Sequence, residues 1–139
     1  NPIKRKELMD LARELKIEDS VIWYPFLQKS QLEFLLKESD VLVTAPSTDG
    51  TSVTVLEAMK LGIPVVSSTT LGSSSWIFDG VTGFTFGVGD EDGCVNALSR
   101  ALEMKHYNVI ENAKRLVEAK AKWPEVANPL ISLIQSLTH

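Results

Sequence analysis

The sequence predicts an α/β fold, a Rossmann-like parallel sheet flanked by helices. Short apolar segments suited to buried strands alternate along the chain with longer segments of helical periodicity. Strands that are covered on both faces read as continuous apolar runs, and connections through helices make such strands parallel. Ligands of these sheets bind beyond the carboxyl ends of the strands. We therefore expect the functional residues in the segments that follow the strands.

Four short segments have the apolar and β-branched composition of buried strands. A polar loop over residues 69–75 and a short helical turn over 76–78 separate the third of these segments from the fourth. The four predicted strands are residues 21–23, 41–45, 64–68 and 84–86.

Six segments have the residue spacing of helices, and several carry residues that begin or end a helix. Gly62 suits the position after a helix, Asp90 suits a helix cap, and Pro124 suits the first position of a helix. The six predicted helices are residues 2–16, 31–38, 53–61, about 90–104, about 108–122 and a last one after Pro124.

Composition indicates a single globular domain. The 139 residues are 44% apolar and carry a net charge of −4. This length supports one hydrophobic core, and the acidic balance argues against a nucleic-acid partner. No apolar run approaches the roughly 20 residues of a membrane span. The single cysteine, Cys94, lies in an apolar helical pattern and indicates a buried thiol in a reducing compartment, so we expect a cytoplasmic protein.

The most informative segment follows the second predicted strand. Small polar residues stand where the helix 53–61 begins, and Asp49 and Glu57 flank that point. A helix N-terminus has unpaired N–H groups and a partial positive charge, so it suits a phosphate. Carboxylates accept hydrogen bonds from hydroxyl groups. The arrangement therefore suits a ligand that has both phosphates and sugar hydroxyls.

A purely structural interpretation of the same residues is open. Ser52 or Thr54 could cap the helix, and Thr54 with Glu57 fits the spacing of a capping box. The two interpretations do not exclude each other, because the cap and the phosphate seat occupy the same end of the helix.

This segment resembles the donor site of the retaining, metal-independent GT-B glycosyltransferases of the glycogen-synthase-like and sucrose-synthase-like group (group 1, family 4-like). The eight-residue spacing from Asp49 to Glu57 fits that family, with Asp in place of its first Glu. The resemblance runs from about Glu7 to the end of the chain. Its matching residues are Pro46-Ser47, Gly50, Glu57-Ala58-Met59, Gly62, Pro64-Val65-Val66, Asp79-Gly80-Val81-Thr82-Gly83-Phe84 and Trp123-Pro124-Glu125-Val126-Ala127.

The resemblance implies roles for individual residues. Asp49 would hold hydroxyls of the transferred sugar, and Glu57 would hold the ribose hydroxyls. Backbone N–H groups from about Gly50 to Val53 would cradle the diphosphate, and the backbone near residues 26–27 would hold the nucleobase. The implied donor-binding residues are Ser47, Gly50, Thr51, Ser52, Val53, Thr54, Phe26 and Leu27.

By the same resemblance, residues 1–139 are a single nucleotide-sugar-binding domain, the truncated C-terminal half of a GT-B fold. The implied function is retaining hexosyl transfer from a nucleotide-diphosphate sugar to an unidentified acceptor, without a metal or other cofactor. The family's first strands, with their Arg and Lys, and its N-terminal acceptor domain are not in this sequence. We expect the isolated chain to bind donor weakly and not to turn over. A missing N-terminal domain leaves room for peripheral association of the parent with the inner face of the membrane.

Two interpretations compete with this one. A non-catalytic nucleotide- or sugar-binding module fits the missing cations and the replacement of the family's Gly-Gly-x-Pro-Glu by residues 71–75, Leu-Gly-Ser-Ser-Ser. A signalling receiver would need an acidic cluster after its first strand, and Trp23-Tyr24-Pro25 offers none.

Two charged clusters are expected to be structural. Asp90, Glu91 and Asp92 spell a metal-binding signature of other glycosyltransferases, but they open a helix, where carboxylates stabilise the helix dipole. We therefore predict no metal site. The lysine-rich face of the last long helix is expected to be solvated; its residues are Lys114, Lys120 and Lys122.

Overall fold

The computed structural model describes residues 2–48, 52–103 and 107–120. Residues 1–32 and 33–139 form two compact units. Helix α1 (Pro2–Glu14) and a 3₁₀ turn (Glu18–Ser20) belong to the first unit, and α2 (Lys29–Lys37) spans the boundary in the sequence. The remaining elements, all in the second unit, are β1 (Leu42–Thr44), α3 (Val53–Leu61), β2 (Val65–Ser68), β3 (Phe84–Phe86), α4 (Glu91–Glu103) and α5 (Tyr107–Lys120).

The three strands form one parallel sheet in the order β1-β2-β3. Leu42 pairs with Val65, and Val66 pairs with Phe84. Because α3 connects β1 to β2, the chain returns to the same edge before it starts the next strand, as parallel pairing requires. The predicted fold class, an α/β fold with a parallel sheet and flanking helices, is confirmed. All three strands end at one edge, which we call the carboxyl edge.

The core is built around β2, in which all four residues are buried. Because neighbouring side chains of a strand point to opposite faces, β2 is covered on both faces. Val66 packs in one cluster with Phe84 and Phe86 of β3 and with Ala97 and Ala101 of α4. Helix α3 packs against α5. No helix in the described ranges is long and apolar enough to cross a membrane.

The strand predicted at residues 21–23 is wrong. Val21 has an extended backbone, with φ −115° and ψ 120°, but the segment belongs to no strand and Ile22 is 76% exposed. A strand needs ladder hydrogen bonds from a neighbour. No strand among the described residues supplies such bonds to residues 21–23.

Two smaller expectations are also corrected. The helical turn expected at 76–78 lies earlier, as a 3₁₀ helix over Ser73–Ser75, because the hydroxyl groups of this polar segment close the turn. β1 is only partly buried, since it forms an edge of the described sheet and its Val43 is 42% exposed. The helix expected after Pro124 lies outside the described residues.

The predicted helix signals are confirmed at α3 and α4. Gly62 follows α3 with φ 82°, and its N–H donates to the carbonyls of Ala58 and Met59. Glycine adopts this left-handed conformation without steric cost. Asp90 accepts a 2.9 Å hydrogen bond from the Gly93 N–H in the first turn of α4. The acidic run at residues 90–92 therefore begins a helix, as expected.

Gly83, which precedes β3, is predicted to tolerate no side chain. A Cβ there would lie 2.8 Å from the Val65 carbonyl oxygen and 2.8 Å from Cγ2 of Ile77. The Val65 backbone belongs to the central strand and cannot shift without disturbing its pairing. We expect Gly83→Ala to lower the free energy of unfolding by about 1–3 kcal/mol, the cost of overpacking a core. Urea unfolding measures this change.

Gly87→Ala is the matched control. A Cβ at Gly87 would meet no atom closer than Cβ of Asp90, at 3.4 Å. Its effect on the free energy of unfolding should stay within about 0.5 kcal/mol. Equal losses in the two variants would contradict the packing that is assigned to Gly83.

Candidate functional site

The site lies at the carboxyl edge of the sheet. Two connections lie there. The first is the described part of the segment after β1, residues 45–48 and 52, which we call the β1–α3 connection. The second is residues 69–75, which follow β2 and which we call the β2 loop. Side chains from both connections and from the strand ends line a small cavity of about 10 Å³, room for one water molecule. A larger ligand would therefore lie over the edge. The cavity is lined by Thr44, Pro46, Ser52, Val55, Ser67, Ser73 and Ile77.

Ser52 forms the N-cap of α3. Its backbone is extended, with φ −64° and ψ 133°, and its Oγ accepts a hydrogen bond of 3.2 Å from the Thr54 N–H. The Val55 N–H donates to the Ser52 carbonyl at 3.0 Å. No described residue accepts a hydrogen bond from the N–H of Val53, an exposed residue. The first amide of α3 thus remains available to an external acceptor.

The predicted capping box of Thr54 and Glu57 is wrong. Since Ser52 is the N-cap, the third helical position is occupied by Val55 and not by a glutamate. The cap lies two residues earlier than the box requires, because the Ser52 hydroxyl already engages the Thr54 amide. Glu57 is half-buried in the second turn, and no described residue hydrogen-bonds its carboxylate. The helix cap therefore leaves the Glu57 carboxylate unused.

The other predicted site residues divide into three groups. Ser47 is exposed in the β1–α3 connection. Phe26, which is exposed, and Leu27, which is half-buried, belong to the other compact unit. The remaining predicted residues, Asp49, Gly50 and Thr51, lie outside the described part of the chain.

The β2 loop is held by a network of hydroxyl groups centred on Ser73, which is 7% exposed. The Thr70 N–H donates to Ser73 Oγ at 2.8 Å, and the Ser73 hydroxyl donates to the Ser68 carbonyl at 2.8 Å. The Ser73 N–H in turn donates to Thr70 Oγ1 at 3.2 Å. The sequence analysis predicted a polar loop here and a lost family carboxylate, but not these hydrogen bonds. The run of hydroxyl residues directly after a buried strand was the available signal.

A lysine from α5 also holds the β2 loop. Lys120 Nζ donates to the Ser75 carbonyl at 2.9 Å and lies 5.5 Å from the centroid of the Trp76 ring. The side chain of Lys114 packs beside Gly62, where an added Cβ would lie 2.9 Å from Lys114 Cε. Lys120 is exposed, as expected for a solvated lysine face, and Lys114 is half-buried; both also make specific contacts that the sequence did not predict. Lys122 lies outside the described residues.

Comparison with known proteins identifies the family. The model of the family described as glycosyl transferases group 1 matches residues 2–123. The chain belongs to this family.

One curated relative of this glycosyltransferase chain is glycosyltransferase 1 domain-containing protein 1 of Xenopus tropicalis. It is 30% identical over 141 aligned residues, which cover 99% of this chain and 39% of that protein. The chain therefore spans about two fifths of the length of this relative.

Solved structures share the fold. The C-terminal domain of LpcC, a group 1 family glycosyl transferase from Francisella tularensis, superposes with a TM-score of 0.74 at 20% identity, covering 85% of this chain and 62% of that one. Anabaena HepE, solved in complex with UDP and glucose, superposes with a TM-score of 0.84 at 21% identity, covering 94% of this chain and 36% of that one. These matches place the chain among GT-B C-terminal domains.

The described part of this glycosyltransferase chain holds no group of three or more His, Cys, Asp or Glu residues that could bind a metal ion. Asp90 serves as the cap of α4. Cys94 is half-buried beside the cluster around Val66, which agrees with a packed thiol.

Replacing Ser52 tests its role as a cap. We expect Ser52→Ala to lower the free energy of unfolding by about 1 kcal/mol, because the Thr54 amide loses its acceptor. Ser52→Asp should retain the stability, since aspartate caps helices equally well. Urea unfolding of the two variants provides the measurement, and an unchanged stability in Ser52→Ala would show that the hydroxyl is dispensable.

Proposed function

We propose that this chain is the donor-binding half of a retaining hexosyltransferase. It would hold a nucleotide-diphosphate sugar at the carboxyl edge of the sheet for transfer to an acceptor that another part of the protein carries. The observation that carries this proposal is the first turn of α3. There an exposed amide without a partner among the described residues lies one helical turn before an unused carboxylate, Glu57.

The chemistry of this turn suits the two ends of a nucleoside diphosphate. The Val53 amide and the positive end of the helix dipole would bind a phosphate oxygen. During transfer the diphosphate leaves with increased negative charge, and fixed donors stabilise that charge without reorganising. The Glu57 carboxylate would accept hydrogen bonds from the ribose hydroxyls, and Asp49 would accept those of the transferred sugar.

Metal-independent transfer is part of the proposal. The helix end supplies a partial positive charge where the leaving group would lie, and Lys120 brings an ammonium group to the β2 loop. The complex of the structural neighbour HepE with UDP and glucose supports a nucleotide-sugar ligand class for this fold.

A second candidate is a non-catalytic binding module. The hydroxyl-rich β2 loop favours it, because Ser75 occupies the position at which the family carries a carboxylate. Transfer activity of the complete parent protein separates the two candidates. A parent that binds donor but transfers no sugar, with hydrolysis and transfer both assayed, would support the module.

The first test is a titration of the chain with UDP, followed by NMR of the backbone amides. We expect the amides of Val53 and Thr54 and the segment 50–52 to shift, since the diphosphate would bind there. Uridine, which lacks phosphates, should not shift the Val53 amide. Ser52→Asp should weaken UDP binding without loss of stability, because it places a negative charge beside the phosphates. A chelator should change nothing.

Two results of this titration would count against the proposal. The absence of any amide shift at millimolar UDP would show that UDP is not a ligand of this chain. A strict dependence on a divalent metal would contradict the metal-independent chemistry and return attention to the carboxylates at residues 90–92.

The second test separates the two carboxylates. Glu57→Gln keeps the side-chain shape and removes the charge. It should therefore weaken the binding of UDP by about tenfold to a hundredfold, the range of one charge-assisted hydrogen bond. Glu118→Gln, which makes the same charge change at an exposed position of α5, should leave UDP affinity unchanged. Calorimetry measures both affinities.

Asp49→Asn completes this comparison. In the complete enzyme it should spare UDP binding and depress sugar transfer, because its partner would be the sugar. If Glu57→Gln and Asp49→Asn changed the affinities for UDP and for the intact donor alike, the assigned division of roles would be incorrect.

A further inference from the structure

We propose that Ser68 is a positioning residue that holds the two connections of the donor site together. This inference rests on the function proposed above. Ser68 is the last residue of β2 and is 1% exposed. It would not touch the donor. It would act on donor binding through the backbone of the β1–α3 connection and of the β2 loop.

Both connections are bonded to this single residue. The Ser68 hydroxyl donates to the Pro46 carbonyl at 2.7 Å, across 22 residues of sequence. The Ser68 carbonyl accepts the hydroxyl of Ser73 at 2.8 Å. Both distances are typical of well-formed O–H···O hydrogen bonds. The start of one connection and the centre of the other are therefore tied to the same strand end.

The strand end is a rigid support for these bonds. Ser68 pairs with Phe86 of β3, and the next amide, of Thr69, donates to the Phe86 carbonyl at 2.8 Å. β2 lies between the two other strands of the described sheet. A hydrogen bond to such a residue fixes its partner relative to the whole sheet.

The position of Pro46 affects the residues that lead to α3. β1 ends at Thr44, so the Pro46 carbonyl lies beyond the sheet ladder and gains its anchor from the Ser68 hydroxyl. The ring of proline fixes its own φ and restricts the residue before it, so the backbone that leads from β1 to this carbonyl has few alternative conformations. Six residues later in the sequence, Ser52 caps α3 and sets the position of the Val53 amide. A displaced Pro46 would therefore disturb the phosphate seat.

Ser67 provides a matched control. It is also 1% exposed, and its hydroxyl donates to the adjacent Ser68 carbonyl at 3.0 Å. Ser67→Ala therefore removes a buried serine hydroxyl from the same strand and leaves the hydrogen bond from Ser68 to Pro46 in place. Because Ser68→Ala keeps the Ser68 carbonyl and its bond to Ser73, a difference in amide exchange between Ser67→Ala and Ser68→Ala reports the tie to Pro46 rather than the loss of a buried hydroxyl.

The experiment compares the unsubstituted chain, Ser68→Ala, Ser67→Ala and Ser68→Cys. UDP affinity is measured by amide NMR, stability by urea unfolding, and loop order by amide hydrogen exchange. We expect Ser68→Ala to weaken the binding of UDP by about fivefold, the equivalent of one neutral hydrogen bond. It should also speed exchange at the hydrogen-bonded amides of Thr54 and Val55, which bond to the Ser52 cap. Ser67→Ala should leave exchange at these amides unchanged; because Ser67 lines the site cavity, it is a control for exchange and not for UDP affinity.

Ser68→Cys keeps the test decisive if Ser68→Ala does not fold. The thiol preserves the shape of the residue and donates a weaker hydrogen bond, so UDP affinity should fall by an intermediate factor. UDP affinity in Ser68→Cys equal to that of the unsubstituted chain, or equal increases of amide exchange in Ser67→Ala and Ser68→Ala, would overturn the inference.

The failure of the proposed function would be distinguishable from the failure of this inference. If the unsubstituted chain did not bind UDP, both the proposed function and the proposed effect of Ser68 on donor binding would be contradicted. Hydrogen exchange in the ligand-free variants would still test whether the bond from Ser68 to Pro46 holds the β1–α3 connection in place. Faster exchange at Thr54 and Val55 in Ser68→Ala alone would establish it, and identical exchange in the two alanine variants would refute it.

Discussion

The central constraint on this structure is the enclosure of β2. Its four residues are buried, and it pairs with β1 on one side and β3 on the other. A parallel strand in this position requires cover on both faces, so the surrounding helices must present small or apolar residues, as α4 does with Ala97 and Ala101. The same enclosure makes the end of β2 a fixed point. The connections that carry the candidate site begin at that edge, and their positions depend on how they are attached to it.

The parts of the fold that were predictable from sequence are those with local causes. Helix α3 was predicted at its observed bounds, because Ser52 and Gly62 supply the signals that begin and end it within a few residues of chain. The prediction of a strand at residues 21–23 was wrong, because a strand needs hydrogen bonds from a neighbouring strand that can be remote in sequence. The backbone at Val21 is extended, but the composition of the segment could not show that it lacks a pairing partner among the described residues.

The candidate site divides in the same way. The N-terminus of α3 was found from its sequence, because a helix end and its flanking carboxylates lie within one short segment. The residues that hold the site in place were missed. Ser68 reaches Pro46 across 22 residues, and Lys120 reaches Ser75 across 45 residues. Each of these bonds ends on a backbone carbonyl, which leaves no complementary side chain in the sequence to indicate the pair. Their detection needed the fold.

That feature has a consequence for how this glycosyltransferase domain can vary. Because Ser68, Ser73 and Lys120 bond to carbonyl groups, the residues that supply those carbonyls are free to change their side chains without losing the anchor. Serine at position 75, where the resembling family carries a carboxylate, therefore leaves the attachment to Lys120 intact. The substitution changes the side chain that the β2 loop presents at the carboxyl edge and keeps the backbone bond to Lys120. Attachment through backbone carbonyls thus allows the side chains of the candidate site to change within a constant fold.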